Sequence, residues 1–228
     1  MFPSERARRM QAFWFDLGNV LVNFDHRKFC RALARLGGAA SEEEIYRSVL
    51  SGGGLNERFE TGRISAEDFY REVSARWAPR ISLEQFREVW CDIFRENPGM
   101  DTVVQTLKGS ARLVLVSNTN PWHMAYLLER YPFLECFDAR VLSYEVGARK
   151  PEPEMFEAAL AASGAPASQC LYFDDLEEHL AAARRLDRWL PWDPVSFGPG
   201  ALRGDPPGTP GEVDYRLARQ AVLAEFHR

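Results

Sequence analysis

Phe13-Trp14-Phe15-Asp16-Leu17-Gly18-Asn19-Val20-Leu21-Val22 places aromatic and aliphatic side chains on both sides of one carboxylate. An apolar run of this length between turn signals reads as a strand buried on both faces, followed by the turn that leaves it. An aspartate at the end of such a strand costs free energy unless it is paired. The stretch therefore implies a parallel sheet and a partner for Asp16.

Outward from it, the pattern divides in two. The first strand covers residues 11–16. His26 to Leu36 carries Phe29, Cys30, Leu33 and Leu36 at near-helical spacing and stops at Gly37-Gly38. Ser41 with Glu44, Ser65 with Asp68 and Ser82 with Gln85 each have the spacing of a helix N-terminus with its capping partner. Residues 23–97 thus read as a helical bundle with no strand in it. Beyond Asn97-Pro98-Gly99, strands alternate with helices. Residues 112–117 (RLVLVS), 138–143, 170–173 and 188–192 read as strands, and Met100–Leu107, residues 121–130, 153–163 and 176–186 as helices. This alternation predicts an α/β core, residues 1–22 and 98–228, with a parallel sheet covered on both faces and the helical unit inserted. Residues 191–212, rich in proline and glycine, read as a surface loop, and 213–226 as a closing helix.

Composition narrows the class. The chain has 228 residues, 46% hydrophobic and 27% charged, as in an ordinary globular protein. A net charge of -5 without a long basic run argues against nucleic acid as a partner. No apolar stretch is long enough to predict a membrane span. Asp16 interrupts the first apolar run and no small-residue cleavage site follows, so export is not expected. Cys30, Cys91, Cys136 and Cys170 lack CxxC spacing and suit reduced, mostly buried thiols in a cytoplasmic protein.

In open parallel sheets, ligands bind beyond the carboxyl ends of the strands. There the sequence sets Asp16, the run Ser117-Asn118-Thr119-Asn120, Lys150 shortly after the third strand, and Asp174-Asp175. A hydroxyl, a cation and three carboxylates facing one crevice suit a metal ion and a phosphate.

These phrases, FDLGNVLV, VLVSNTN, VGARKPEPEMF and LYFDD, resemble in order the four motifs of the haloacid dehalogenase superfamily. They look most like those of bacterial sugar-phosphate phosphatases of the glucose-1-phosphatase kind, and are similar to the phosphatase domain of soluble epoxide hydrolases. The resemblance implies a Rossmann-like core with a helical cap at residues 23–97, hinged near residues 22–25 and 96–99. It implies a magnesium-dependent phosphatase acting on a small phosphorylated metabolite, as a monomer or homodimer. Asp16 falls at the nucleophile, Ser117 and Asn118 at the phosphate-binding positions, and Lys150 at the charge-stabilising lysine. Asp16, the Gly18 carbonyl, Asp175 and Asp174 fall at the metal. An aspartyl-phosphate would split one displacement into two easier steps. Magnesium prefers hard oxygen donors and binds few carboxylates plus substrate phosphate.

Two departures matter. The familiar first motif carries a proton-shuttling aspartate where this chain has Gly18. Such acid–base help is worth about 10²–10⁴-fold, so the substrate is expected to have a leaving group needing little of it, or another residue takes the role. Asp25, placed with substrate contacts, and His26 are the nearby choices; the plainer reading makes them hinge and helix-start residues. In the fourth motif, His179 stands where Asp or Asn is usual; it either contacts Lys150 or the groups that support the site, or, on the plainer reading, is a helix residue without a catalytic task. The segment Asn56, Glu57, Arg58, Phe59, Glu60 is the cap stretch expected to face the site. Trp122 and His123 either line the pocket or pack in the core. Two other readings stay open: a haloacid dehalogenase, for which a missing proton donor is no loss, and a ligand-binding protein that no longer turns over.

Overall fold

The computed structural model describes residues 10–38, 40–52, 54–185 and 195–196. Its centre is β1 (Ala12–Phe15), hydrogen-bonded in parallel register to β4 (Arg112–Ser117) on one side and β6 (Cys170–Asp174) on the other. β5 (Ala139–Leu142) and β7 (Val195–Ser196) extend the sheet to the order β5-β4-β1-β6-β7, all parallel. Side chains alternate across a strand, so Phe13 and Phe15 enter one face and Ala12 and Trp14 the other. Both faces are covered. Leu113, Leu115 and Phe173 join the first two rings against α6 (Met100–Leu107) and α7 (Pro121–Arg130). Val114, Val116 and Tyr172 join Trp14 against α9 (Pro153–Ser163) and α10 (Glu177–Arg184). Burial on both faces is why β1 reads as an unbroken apolar run. Each such side chain contributes roughly 1.5–3 kcal/mol when fully buried.

Between β1 and β4 the chain builds a helical unit: α1 (His26–Gly37), α2 (Glu42–Val49), α3 (Leu55–Glu60), α4 (Ala66–Trp77) and α5 (Leu83–Cys91). The capping pairs act as their spacing predicts. Ser41 and Ser82 accept from the backbones of Glu44 and Gln85, whose side chains bond back, and Ser65 accepts from Asp68. Phe29, Leu33, Phe69, Phe86 and Trp90 form a core separate from those of the sheet.

One expectation is overturned. The segment 23–97 is not strand-free: β2 (Val22–Phe24) pairs antiparallel with β3 (Phe94–Glu96) where the chain leaves and re-enters the sheet domain. Three-residue strands carry too little period-2 signal to be read locally, and their pairing spans the whole insert. Smaller differences are at boundaries. Asp16 lies just past β1, residues 55–60 form a helix of their own, and Ser143 opens a short helix, α8 (Ser143–Val146). Within the expected surface loop 191–212, Val195–Ser196 pairs with β6. The expected strand at 188–192 and closing helix at 213–226 lie outside the described residues. Among the described residues, no helix is long and apolar enough to cross a membrane.

Candidate active site

The loop after β1 is tied down at both ends. Asp16 N–H donates to the Phe173 carbonyl (2.9 Å), and Leu17 N–H donates to Asp16 Oδ1 (2.7 Å). Asn19 sits at φ 55°, in the left-handed region that asparagine tolerates, and its N–H reaches the Val22 carbonyl at 2.7 Å. The turn thus aims the Asp16 carboxylate along the carboxyl edge of the sheet.

Lys150 arrives there from the segment after α8. Its ammonium is buried and lies 2.7 Å from Asp16 Oδ1 and 2.8 Å from Asp174 Oδ2. Asp174 ends β6 and has further partners: Tyr172 Oη, His179 Nδ1 at 3.0 Å, and the Leu176 N–H at 2.9 Å. Asp175 is half-buried and accepts from Asn19 Nδ2 at 3.2 Å. Carboxylate oxygens of Asp16, Asp174 and Asp175 all lie within 4.8 Å of one another.

Three carboxylates against one ammonium leave the cluster short of positive charge, and the titration of each follows. Burial pushes Asp16 up to about 7; Lys150 pulls it down, while Asp174 and Asp175 push it further up. Asp175 is also raised, by burial and then by Asp174. Asp174 is held well below the usual carboxylate range because Lys150 and the His179 contact outweigh its desolvation. Asp174 is therefore the charged anchor that holds the lysine. Asp16 and Asp175 are the acids most in need of another cation. Hard oxygen donors this close, with a charge deficit, fit magnesium.

The cavity beside this cluster is lined by Leu17 and Gly18, Ser117 and Asn118, His26, and Glu60 from α3. Ser117 is buried at the end of β4. The Asn118 side chain is turned to Lys150. Its Nδ2 donates to the Lys150 carbonyl (2.9 Å) and its Oδ1 accepts the Lys150 N–H (2.7 Å), so its amide orients the lysine's backbone. Asp25 caps α1, accepting from Arg27 N–H (2.9 Å) and pairing with Arg31 (2.8 Å); it does not line the cavity. Of the expected α3 contacts, Glu60 reaches the wall. It is buried, meets Arg149 at 3.0 Å and accepts from Asn56 at 2.9 Å. Arg149 also meets Glu57 at 3.4 Å, so the residue beside Lys150 joins the helical unit to the sheet domain. Trp122 packs on Phe59 and Phe86. His123 is buried with both ring nitrogens bonded, at Asn120 and the Trp90 carbonyl.

Two contributors lie outside the expected site residues. Tyr172 and His179 both touch Asp174; the tyrosine shares its sheet face by period 2, which is the signal that locates it. Phe24 is the other surprise. A Cβ on Gly18 would lie 2.5 Å from Phe24 Cε1, so the ring fills the space a side chain at 18 would need. Gly18→Ala is accordingly expected to cost about 1–3 kcal/mol through overpacking, and markedly less on a Phe24→Ala background. Thermal unfolding of the four proteins measures this; equal costs on both backgrounds would remove the contact from the account.

Comparison with known proteins follows the geometry. D-ribitol-5-phosphate phosphatase from Bacteroides thetaiotaomicron is 27% identical over 180 residues, 75% of this chain and 86% of that protein. A phosphorylated carbohydrates phosphatase from Thermotoga maritima is 25% identical over 178 residues, covering 77% and 81%. The magnesium complex of a haloacid dehalogenase-family enzyme from Bacteroides thetaiotaomicron superposes with a TM-score of 0.68 at 25% identity, covering 78% of this chain and 89% of that one. The family of haloacid dehalogenase-like hydrolases matches residues 10–187, and this chain belongs to it.

Proposed function

We propose that the protein is a magnesium-dependent phosphatase of small phosphomonoesters, a sugar or sugar-alcohol phosphate among them, acting through an aspartyl-phosphate on Asp16. The observation that carries this reading is the cluster itself: three carboxylates within 4.8 Å sharing a single buried ammonium. Relatives named for phosphatase activity on ribitol phosphate and phosphorylated carbohydrates, and a magnesium complex of similar fold, support it.

In this reading Asp16 attacks phosphorus and the phosphorus–oxygen bond to the alcohol breaks. Lys150 holds the attacking carboxylate in place and balances charge on the phosphoryl oxygens. Ser117, at the cavity wall, donates to one of those oxygens. Asp174 fixes Lys150, and Asn118 fixes its backbone. Asp16, Asp175 and the Gly18 carbonyl would hold magnesium, with Asp174 behind them; the ion supplies charge neutralisation between the carboxylates and the incoming phosphate. The helical unit, residues 23–97, acts as the cap, hinged at the β2–β3 pair, with Glu60 and Arg149 joining it to the site. Closure excludes water and presents the cap's own side chains to the substrate.

Phosphate release from a panel of sugar and polyol phosphates, with magnesium and after chelation, tests the assignment. Activity is expected with magnesium and falls by at least about 10²-fold on chelation, as expected for removal of a Lewis acid worth several kcal/mol. Halide release from 2-haloacids in chelator, with no phosphate release, would instead make Asp16 a nucleophile toward carbon.

A further inference from the structure

Hydrolysis of an aspartyl-phosphate needs a base to take a proton from the attacking water. In the acidic cluster and along the cavity beside it, the other acceptors have partners or roles. Asp16 is the nucleophile. Both oxygens of Asp174 are in contact with His179, and Lys150 and Tyr172 share one of them. Asp175 holds Asn19 and faces the metal position. Glu60 is held by Asn56 and Arg149. His123 is bonded through both ring nitrogens.

His26, the first residue of α1, is different. It lines the same cavity as Gly18, Ser117 and Asn118. Its Nδ1 is buried and has no hydrogen-bond partner among the described residues. The ring is fixed by its neighbours, with centroids 5.0 Å from Phe24, 6.0 Å from Trp90 and 6.2 Å from His123. Phe24 is also the ring that closes off the side-chain space of residue 18. His26 therefore packs on the ring that crowds position 18 and lines the same cavity as Gly18. A buried polar atom left unpaired costs free energy, and its persistence in a cavity wall calls for a ligand or a reacting partner.

We propose that the His26 imidazole is the proton carrier of the dephosphorylation step. The proposal rests on the phosphatase reading above. Water oxygen bonds to phosphorus, one water proton passes to the imidazole, and the bond from phosphorus to Asp16 breaks with its electron pair returning to the carboxylate. The imidazolium then releases that proton to solvent, which balances the proton taken up by the alcohol freed in the first step. Burial lowers His26 to about 4, so the ring is neutral near neutrality. The ionisable groups around it are Asp25, which pulls the other way, His123, itself held neutral by burial, and Glu60 across the cavity.

The test uses p-nitrophenyl phosphate, whose leaving group departs without a proton, so the first step is spared. On rapid mixing with magnesium, His26→Gln and His26→Ala are expected to give a nitrophenol burst matching the enzyme concentration. A steady state reduced about 10²–10⁴-fold should follow. Added imidazole should restore the steady state of His26→Ala while leaving the burst unchanged, a rescue that a packing role does not produce. If His26→Ala fails to fold, the burst in His26→Gln decides. Variants turning over within a few-fold of the parent, or losing the burst together with the steady state and gaining nothing from imidazole, overturn the role of His26 while the phosphatase reading stands. A parent protein that releases no nitrophenol overturns both.

Discussion

Asp16→Asn is expected to stop turnover, by roughly 10⁴–10⁶-fold as for loss of other enzymatic nucleophiles, and yet to yield a folded protein. The two effects separate because Asp16 is costly to the fold. Its carboxyl ionises at 3.8 when exposed and at about 7 in the native site, raised chiefly by burial. A group whose native value lies above its unfolded value binds more protons folded than unfolded in that window. Its contribution to stability is therefore highest below the unfolded value and is lost as pH rises to about 7. In metal-free buffer, the parent should lose stability between those limits through Asp16, and Asn should remove that part of the slope. Above pH 7 the variant should be the more stable of the two. Saturating magnesium reverses the order, because the ion binds the native parent and its binding energy adds to folding. Phosphate release and thermal unfolding across pH, with and without magnesium, measure all of this. Retained turnover in the variant would sink Asp16 as nucleophile.

Lys150→Met is expected to damage both properties at once. The ammonium is buried between two carboxylates at 2.7 and 2.8 Å, and methionine fills its volume without its charge. Removing one partner of a buried pair leaves an uncompensated charge and costs about 3–5 kcal/mol. Here two acids are left. Activity should fall about 10²–10³-fold, the scale for losing a preorganised electrostatic contact in a transition state. Arginine is not expected to restore it, because a planar fork does not replace a point charge enclosed by Asp16, Asp174 and the Tyr172 ring. Denaturant unfolding and kcat together decide. A stable, inactive Lys150→Met would mean that Asp174 finds its compensation in His179 and Tyr172.

The sequence marks these residues by their place. Asp16, Ser117 and Asp174 each close an apolar run, and strand ends of a parallel sheet converge on one edge. A parallel sheet covered on both faces follows from the alternation of strands and helices; the strand order and register come from the fold. What escaped was what depends on distance in sequence. β2 and β3 pair across the whole insert with three residues apiece. Asn118 has the chemistry of a phosphate ligand, and only the fold shows its amide taken up by Lys150. Arg149 has the look of a solvated residue until α3 brings Glu57 and Glu60 to it. Asp25 and His26 were indistinguishable as neighbours at a helix start; the helix turns one outward to Arg31 and the other into the cavity wall. For His179, a helical pattern leaves open whether the ring supports the site, and only the fold brings it to Asp174.

Phe24 and Gly18 also constrain how this sequence can drift. A lineage that acquired a carboxylate at position 18 by one substitution would meet the aromatic ring and lose stability before gaining any acid. Trimming the ring first would open a gap beside the nucleophile's loop, again at a loss. A side chain at 18 and a smaller ring at 24 are thus expected to be tolerated better together than either is alone, whether or not an acid there would speed the chemistry.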